Sequence, residues 1–505
     1  MKKGKKWQVF HRWAGLLLSV IFLLFCISGI ILNHREAVAD CNVSRSLLPS
    51  GYRIRNFNNG AVKGTFRINE DSLLAFGNTG IWLTDRNFSD LKDFNAGLPA
   101  GMDRRNIRNI VRTSDGKIWA ASQFCLYRLD GTEWTETALP GNDSRIADLT
   151  VTPDSCGLAV LSRSAVFIIP DTRRPAEITC KELPAPKGHR PEVSMFKTVW
   201  MLHSGELFGT PGKIIVDIIA VVIGILCITG IIIFILPYSI RRAASRSLTS
   251  RIKRLGGSLK WNVRWHDRIG YWLIPFTLLI AVTGMCLRPP LMIPLALTKT
   301  SPLPGSTLDN ANIWHDKLRA IRYDRTADCW LISTSDGFVT IDRDFKGRPD
   351  KIAPATAPPV SPMGINVMKQ QPDGSWLTGS FSGMFIWNRE NGSVRDYFTG
   401  KPYKQKRGRP TSDHMIAGYS DDTAPSLQPV IFDYVSGADR PLHDNDILYS
   451  QPMSLWNTAL ELHVGRCYSP LLGPFSELFV FFSGLFLTLV IVSGYIVHRR
   501  IKRKN

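Results

Sequence analysis

The chain has 505 residues, 44% hydrophobic and 21% charged, with a formal net charge of +20. That average suits an ordinary soluble protein, but both the apolar and the basic residues are segregated. Seventeen of the 62 basic residues gather in three short runs, which argues against a nucleic-acid surface as the source of the charge and points to membrane topology.

Residues 7–32 are the first of four apolar stretches; the others are 214–236, 269–287 and 475–497. Each can cross a hydrocarbon layer of ~30 Å, which takes about 20 residues at helical rise. Backbone amides in lipid must bond internally, so each stretch is expected to be helical. Lys2, Lys3, Lys5 and Lys6 precede the first stretch. Arg241, Arg242, Arg246, Arg251, Lys253, Arg254, Lys260 and Arg264 fill the connector between the second and third, and Arg499, Arg500, Lys502, Arg503 and Lys504 follow the fourth. Four alternating spans put all three runs on one side, which the positive-inside rule makes cytoplasmic. Ala37-Val38-Ala39 resembles a leader cleavage site. The apolar run is too long for a leader, however, and 33–36 is polar, so an uncleaved first helix is expected. None of the nine cysteines forms a CxxC or CxxCH motif, which argues against thiolate zinc and c-type haem.

The sequence repeats itself. His11, Gly15 and Ser28-Gly29 match His266, Gly270 and Thr283-Gly284 at one offset of 255 residues. Leu202-His203-Ser204-Gly205 and Gly224 match Leu462-His463-Val464-Gly465 and Gly484 at 260, and Thr229-Gly230 and Ser493-Gly494 follow one helical turn out of step. Between the spans, turns precede Trp- or β-branched-rich runs: Asn78-Thr79-Gly80-Ile81-Trp82, Ser114-Asp115-Gly116-Lys117-Ile118-Trp119, Ser155-Cys156-Gly157-Leu158, Asp328-Cys329-Trp330 and Pro372-Asp373-Gly374-Ser375-Trp376. Spacings near ~40 residues suit propeller blades, so one propeller shared by both copies, six-bladed, is expected; two separate β-domains are the alternative. Residues 400–424, polar and basic, read as a long loop.

The expected order is helix 1 (1–34), a periplasmic β segment (35–211), helix 2 (212–238), a basic cytoplasmic loop (239–265), helix 3 (266–288), a second periplasmic β segment (289–473), helix 4 (474–498) and a basic tail (499–505). The fold class is an all-α four-helix membrane bundle, a tandem repeat of two spans, plus an extracytoplasmic all-β domain.

His11 and His266 start matched spans, and His203 and His463 precede matched spans at the other face. Duplicated imidazoles at two membrane depths suit two bis-histidine haems, a closed coordination fit for electron transfer. On each first span the glycines four and eighteen places after the histidine lie on its stripe, clearing space for a flat macrocycle or a close helix. Arg12, Arg264 and Arg268 are near enough in sequence for propionates. His34 is a substitute candidate for the outer pair, and His498 is expected to cap a helix. Pro211-Gly212 and 470–474 are expected to break the chain between each outer histidine and its span.

His11-Arg12-Trp13-Ala14-Gly15 with Ser28-Gly29, Leu202-His203-Ser204-Gly205 with Phe208-Gly209, and the reduced copies at His266 and Leu462-His463 resemble the PepSY-associated transmembrane helix family. That family includes dihaem inner-membrane reductases of ferric siderophores. The resemblance implies two haem b groups, a ferric chelate or siderophore as substrate, iron acquisition as the role, and the inner membrane as location. No dinucleotide fingerprint is present, so the donor is expected to be a quinol or a separate reductase. The rival reading is a non-redox sensor or scaffold with a ligand-binding propeller.

Overall fold

The computed structural model describes residues 3–140, 145–359, 361, 363–404, 412–443 and 446–502. The chain divides into a helical unit (1–38, 191–310 and 455–505) and an all-β unit (39–190 and 311–454). The β unit is therefore narrower than the two segments expected from sequence. Both histidines that precede a span, His203 and His463, belong to the helical unit.

In chain order the helices are α1 (Lys3–Asn33), α2 (Met195–Ser204), α3 (Gly209–Ala244), α4 (Thr249–Trp272), α5 (Ile274–Cys286), α6 (Met292–Leu297), α7 (Asp446–Tyr449, in the β unit), α8 (Leu455–His463), α9 (Ser469–Leu472) and α10 (Ser476–Lys502). Three stretches are long and apolar enough to span a membrane: Lys6–Asn33, Glu206–Ala244 and Arg466–Arg500. Their outward side chains are apolar, with Leu17 78% exposed and Ile218 57% exposed, as lipid contact requires. The expected third span is a bent pair, α4 and α5, meeting at 67°. Pro275 in the first turn of α5 lacks an N–H and crowds the carbonyl four residues back, so one straight helix cannot run through Leu273. The connector expected to be a loop is helical too, because α3 runs to Ala244 and α4 starts at Thr249. The chain end is likewise helical through Lys502, and Arg503 and Lys504, like Lys2 at the other end, lie outside the described residues.

The break before the second span falls earlier than expected, whereas the chain before the fourth turns twice, once after α8 and again inside the expected 470–474, where Gly473 ends α9 with φ 54°. Gly205 ends α2 with φ 78° and Gly465 follows α8 with φ 84°, left-handed conformations that glycine adopts without strain. Pro211 sits inside the first turn of α3, where its missing N–H costs nothing.

Among the described residues the β unit has four separate four-stranded antiparallel sheets, one seven-stranded sheet and a two-stranded pairing of Asn42–Val43 with Met453–Ser454. The seven-stranded sheet is four strands starting at Gly64–Arg67 and three starting at Ile416–Ser420, joined by a single parallel pairing of Gly64 with Tyr419. Counting those as the first and sixth sheets, the first strands of the second to fifth are Ile107–Arg112, Ile146–Val151, Leu318–Asp324 and Val367–Gln370. The strand Ile416–Ser420 lies within the stretch expected to be a loop, of which 405–411 are outside the described residues. Six apolar cores join successive sheets: Leu74 with Ile110, Trp119 with Leu149, Leu161 with Trp330, Leu331 with Trp376, Leu377 with Ile431, and Trp82 with Phe432. The last of these joins the first sheet to the sixth. Trp82, Trp119, Trp330 and Trp376 of the sequence motifs are each at most 1% exposed. Burying an aromatic side chain removes roughly 150–250 Å² from water, about 4–6 kcal/mol before entropy is charged.

Candidate functional site

Four histidines of the helical unit converge as two pairs. The rings of His11 (α1) and His266 (α4) have centroids 6.1 Å apart at an interplanar angle of 70°. Those of His203 (α2) and His463 (α8) are 6.2 Å apart at 52°. Two imidazoles that held one metal ion between them, with metal–nitrogen bonds of ~2.0–2.1 Å as for zinc and ~1.1 Å from each nitrogen to its ring centre, would have centroids about 6.3 Å apart. Both pairs meet that spacing.

Each ring is also held at one nitrogen. His11 Nδ1 lies 3.0 Å from Ser493 Oγ and 3.1 Å from the Val490 carbonyl. His266 Nδ1 lies 2.9 Å from Thr229 Oγ1, His203 Nδ1 3.0 Å from Thr283 Oγ1, and His463 Nδ1 3.0 Å from Ser28 Oγ. Every one of these hydroxyls spends its single proton on a carbonyl of its own helix. Ser28 donates to Leu24 at 2.6 Å, Thr229 to Ile225 at 2.7 Å, Thr283 to Leu279 at 2.6 Å and Ser493 to Val490 at 2.7 Å. A hydroxyl with its proton committed can only accept from the imidazole, so Nδ1 carries the hydrogen and Nε2 keeps its lone pair. That is the tautomer a metal ligand needs, fixed by the bond at its other nitrogen. Outside the spans, burial holds His203 and His463 below the usual imidazole range, to about 3 and about 4. The charge of His463 adds to the first shift; for the second, the Phe25 backbone opposes burial and Arg288 adds to it. Both rings are neutral at neutral pH.

The residue after each hydroxyl is glycine, and its missing side chain makes room for the ring. A Cβ on Gly284 would lie 2.9 Å from His203 Cε1, one on Gly494 3.1 Å from His11 Cε1, one on Gly29 3.3 Å from His463 Cε1 and one on Gly230 3.6 Å from His266 Cε1. Sequence reasoning marked the Ser/Thr-Gly pairs as part of the repeat but gave the hydroxyls no role. Four recurrences of one dipeptide in the duplication were the available signal. The pairing is reciprocal: every histidine of one copy rests on a Ser/Thr-Gly pair of the other. Ser28 lies seventeen residues after His11 on α1, so the two imidazole pairs are ~25 Å apart along that helix.

Other expected positions differ. His34 Nε2 binds Asp217 Oδ2 at 2.7 Å, and Asn33 donates to the other carboxylate oxygen at 3.0 Å, so His34 is held away from the outer pair. His498 does not cap a helix. Its Nδ1 binds Asp267 at 2.8 Å and its ring stacks on Tyr271 at 4.2 Å. The Arg12 guanidinium lies over Trp13 and Phe234, and that of Arg268 over Trp265, so both are engaged with aromatic faces. Gly15 and Gly270 clear neighbouring helices at Val490 and Leu226. Arg288, missed from sequence, donates to the Val464 carbonyl at 2.6 Å beside His463.

The sequence pattern described as "PepSY-associated TM region" matches residues 157–500. No curated protein matches the chain. Among solved structures it is similar to an extracellular domain described as that of a one-component system of B. thetaiotaomicron, at 10% identity over 75% of this chain and 32% of that one, with a TM-score of 0.36. It is also similar to an extracellular domain described as that of a hybrid two-component system of the same organism, at 7% identity, 76% and 40% coverage and a TM-score of 0.35. The chain spans about a third of the length of the structures it matches, and at these scores the likeness carries no argument.

Proposed function

Because the chain belongs to the PepSY-associated TM region family, a membrane family, we propose that it is a dihaem transmembrane reductase that carries electrons outward to a chelated ferric ion, a siderophore complex, for iron acquisition. The observation that supports this is the spacing of the two imidazole pairs, each ring held at Nδ1 so that its Nε2 keeps a lone pair. His11 with His266, and His203 with His463, would hold the two haem b groups. Bound haem b supplies a one-electron carrier whose potential follows its axial ligands and burial. The chain's own part is to fix both rings of each pair, exclude water from them, and separate the two pairs along α1. The basic residues of α4 sit on the same helix as His266, so the positive-inside rule assigns the His11–His266 pair to the cytoplasmic side of a bacterial inner membrane and the β unit to the periplasm. In this reading the six sheets are the blades of one propeller, supported by the core that joins the sixth to the first. A quinol or a separate reductase supplies the electrons.

The test is spectroscopic. The purified chain from haem-replete cells should show b-type Soret and reduced α bands with two haems per chain. His11→Ala or His266→Ala should remove one haem, and His203→Ala or His463→Ala the other. A folded, colourless chain would overturn the reading and favour a sensor or scaffold built on the β unit.

A further inference from the structure

Beside the inner imidazole pair, the second copy of the repeat carries a polar contact that the first copy lacks. On α4, Asp267 follows His266, and Tyr271 lies one turn further along the face of Asp267. On α10, His498 lies one turn past Gly494, the glycine beneath His11. These two faces meet. His498 Nδ1 lies 2.8 and 2.9 Å from the two oxygens of Asp267, and its ring stacks on Tyr271 with centroids 4.2 Å apart at 22°. Tyr495 lies nearly parallel to Tyr271, 6.2 Å away at 9°.

Tying the two helices together does not require this chemistry. Arg12 matches Asp267 at the offset of His11 and His266, and Phe234 matches His498 when counted from Thr229-Gly230 and Ser493-Gly494. There the guanidinium lies 5.1 Å over the phenyl ring, which joins the same two positions through a ring that has no polar atom to satisfy. In the second copy, His498 Nε2 is buried and has no hydrogen-bond partner among the described residues. An ionised carboxylate only accepts, so Nδ1 carries the hydrogen and Nε2 of the neutral ring is an acceptor. A buried acceptor without a donor is destabilising, and it is kept where a ligand or a reaction uses it. The stack also opens outward: Tyr495 is 37% exposed, and Trp272, edge-on to Tyr271, is 71% exposed. A ligand for this place needs a hydroxyl to donate to Nε2, a flat ring to lie against aromatic faces, and an apolar tail to arrive through lipid.

We propose that His498, held by Asp267 and stacked on Tyr271, binds the headgroup of a membrane quinol beside the inner imidazole pair, and that this quinol is the electron donor. This names the donor of the reductase reading and rests on that reading. Oxidation of one bound quinol to its quinone breaks two O–H bonds, releases two protons to cytoplasmic water, and gives up two electrons, one to each of two ferric haems.

The probe is a tritiated, decyl-tailed azidoquinone, bound in the dark to the full chain in phosphatidylcholine nanodiscs and then cross-linked by light. Label should fall on the peptides that carry Tyr271 and Tyr495. Decylubiquinone should compete it away, and decanol, the tail alone, should not. His498→Ala should weaken binding about tenfold, as losing one hydrogen bond to a buried group does, while keeping both haems. His498→Gln, whose amide oxygen accepts, should recover binding. His34→Ala, at the exposed histidine–carboxylate pair near the other end of α1, should leave labelling unchanged. Tyr271→Leu, which leaves the His498–Asp267 pair in place, should also weaken binding and keeps the test open if His498→Ala does not fold. No saturable labelling, label elsewhere, equal affinity in a folded His498→Ala chain, or equal competition by phosphatidylglycerol would overturn the proposal. Loss of the inner haem in that variant would also overturn it, because His498 would then serve the haem rather than a quinol. A chain that holds two haems but binds no quinone takes its electrons from a separate reductase and sinks this inference alone. A chain labelled at this place but carrying no haem sinks the reductase reading instead.

Discussion

The two imidazole pairs share a spacing but are built differently. His11 and His266 stand on long helices, α1 and α4, so their positions are set by rods packed along much of their length. His203 and His463 stand near the ends of helices of ten and nine residues, followed by the left-handed glycines Gly205 and Gly465. Short helices separated from their spans hold a side chain less firmly than long ones. The outer pair is therefore expected to depend more on what its rings rest upon; the tightest glycine clearance is at Gly284 beneath His203 and the loosest at Gly230 beneath His266, with Gly494 beneath His11 and Gly29 beneath His463 between them.

Adding one methyl group breaks that comparison most sharply. Alanine at a helical glycine normally stabilises by about 1 kcal/mol, whereas a Cβ forced against a fixed ring costs about 1–3 kcal/mol. Gly284→Ala should displace His203 and remove most of the outer haem while sparing the inner one. Gly230→Ala, whose Cβ would meet His266 at ordinary contact distance, should keep both haems and be at least as heat-stable as the parent. Haem content by pyridine haemochrome and melting by circular dichroism check the pair. Equal loss in both variants would show that glycine clearance does not differ between the ends.

Removing a hydroxyl is a smaller perturbation. Thr283→Val keeps the shape but withdraws the acceptor for His203 Nδ1–H. An orphaned buried donor costs about 1–3 kcal/mol, and loss of such a supporting bond typically weakens metal affinity ~10–100-fold. The outer haem should become easier to extract by that order. Thr283→Ser, which restores the oxygen, should recover it, and a Thr283→Val chain with unchanged retention would deny the hydroxyl its role.

What could be read in advance divides along physical lines. Spans, basic runs and the Trp-bearing turns are written in composition and period, so Trp82, Trp119, Trp330 and Trp376 were identifiable as strand residues that the structure buries. The histidine pairs were legible because duplication marked them. Which helix each ring rests on was not legible: Ser28 serves His463 across 435 residues of chain, and only the folded arrangement brings them together. The bend at Leu273 was missed because apolar character continues through Pro275 and hides the break. His34 and His498 misled for the converse reason. Each is a histidine near a span end whose partner, Asp217 or Asp267, lies on another helix.

The smallest expected effect sharpens the comparison without changing a residue. When two axial imidazole planes are crossed, each donates into a different iron d orbital, the two orbitals approach degeneracy, and the low-spin ferric signal becomes strongly anisotropic. Parallel planes separate the orbitals and reduce the anisotropy. The inner rings cross at 70° and the outer at 52°. Low-temperature paramagnetic resonance of the oxidised chain should therefore give two low-spin signals, the more anisotropic from the inner site. His203→Ala should delete the less anisotropic signal and leave the other, which assigns them. If the surviving signal were the less anisotropic one, the ring angles set by Ser493, Thr229, Thr283 and Ser28 would not be the angles that bound haem adopts.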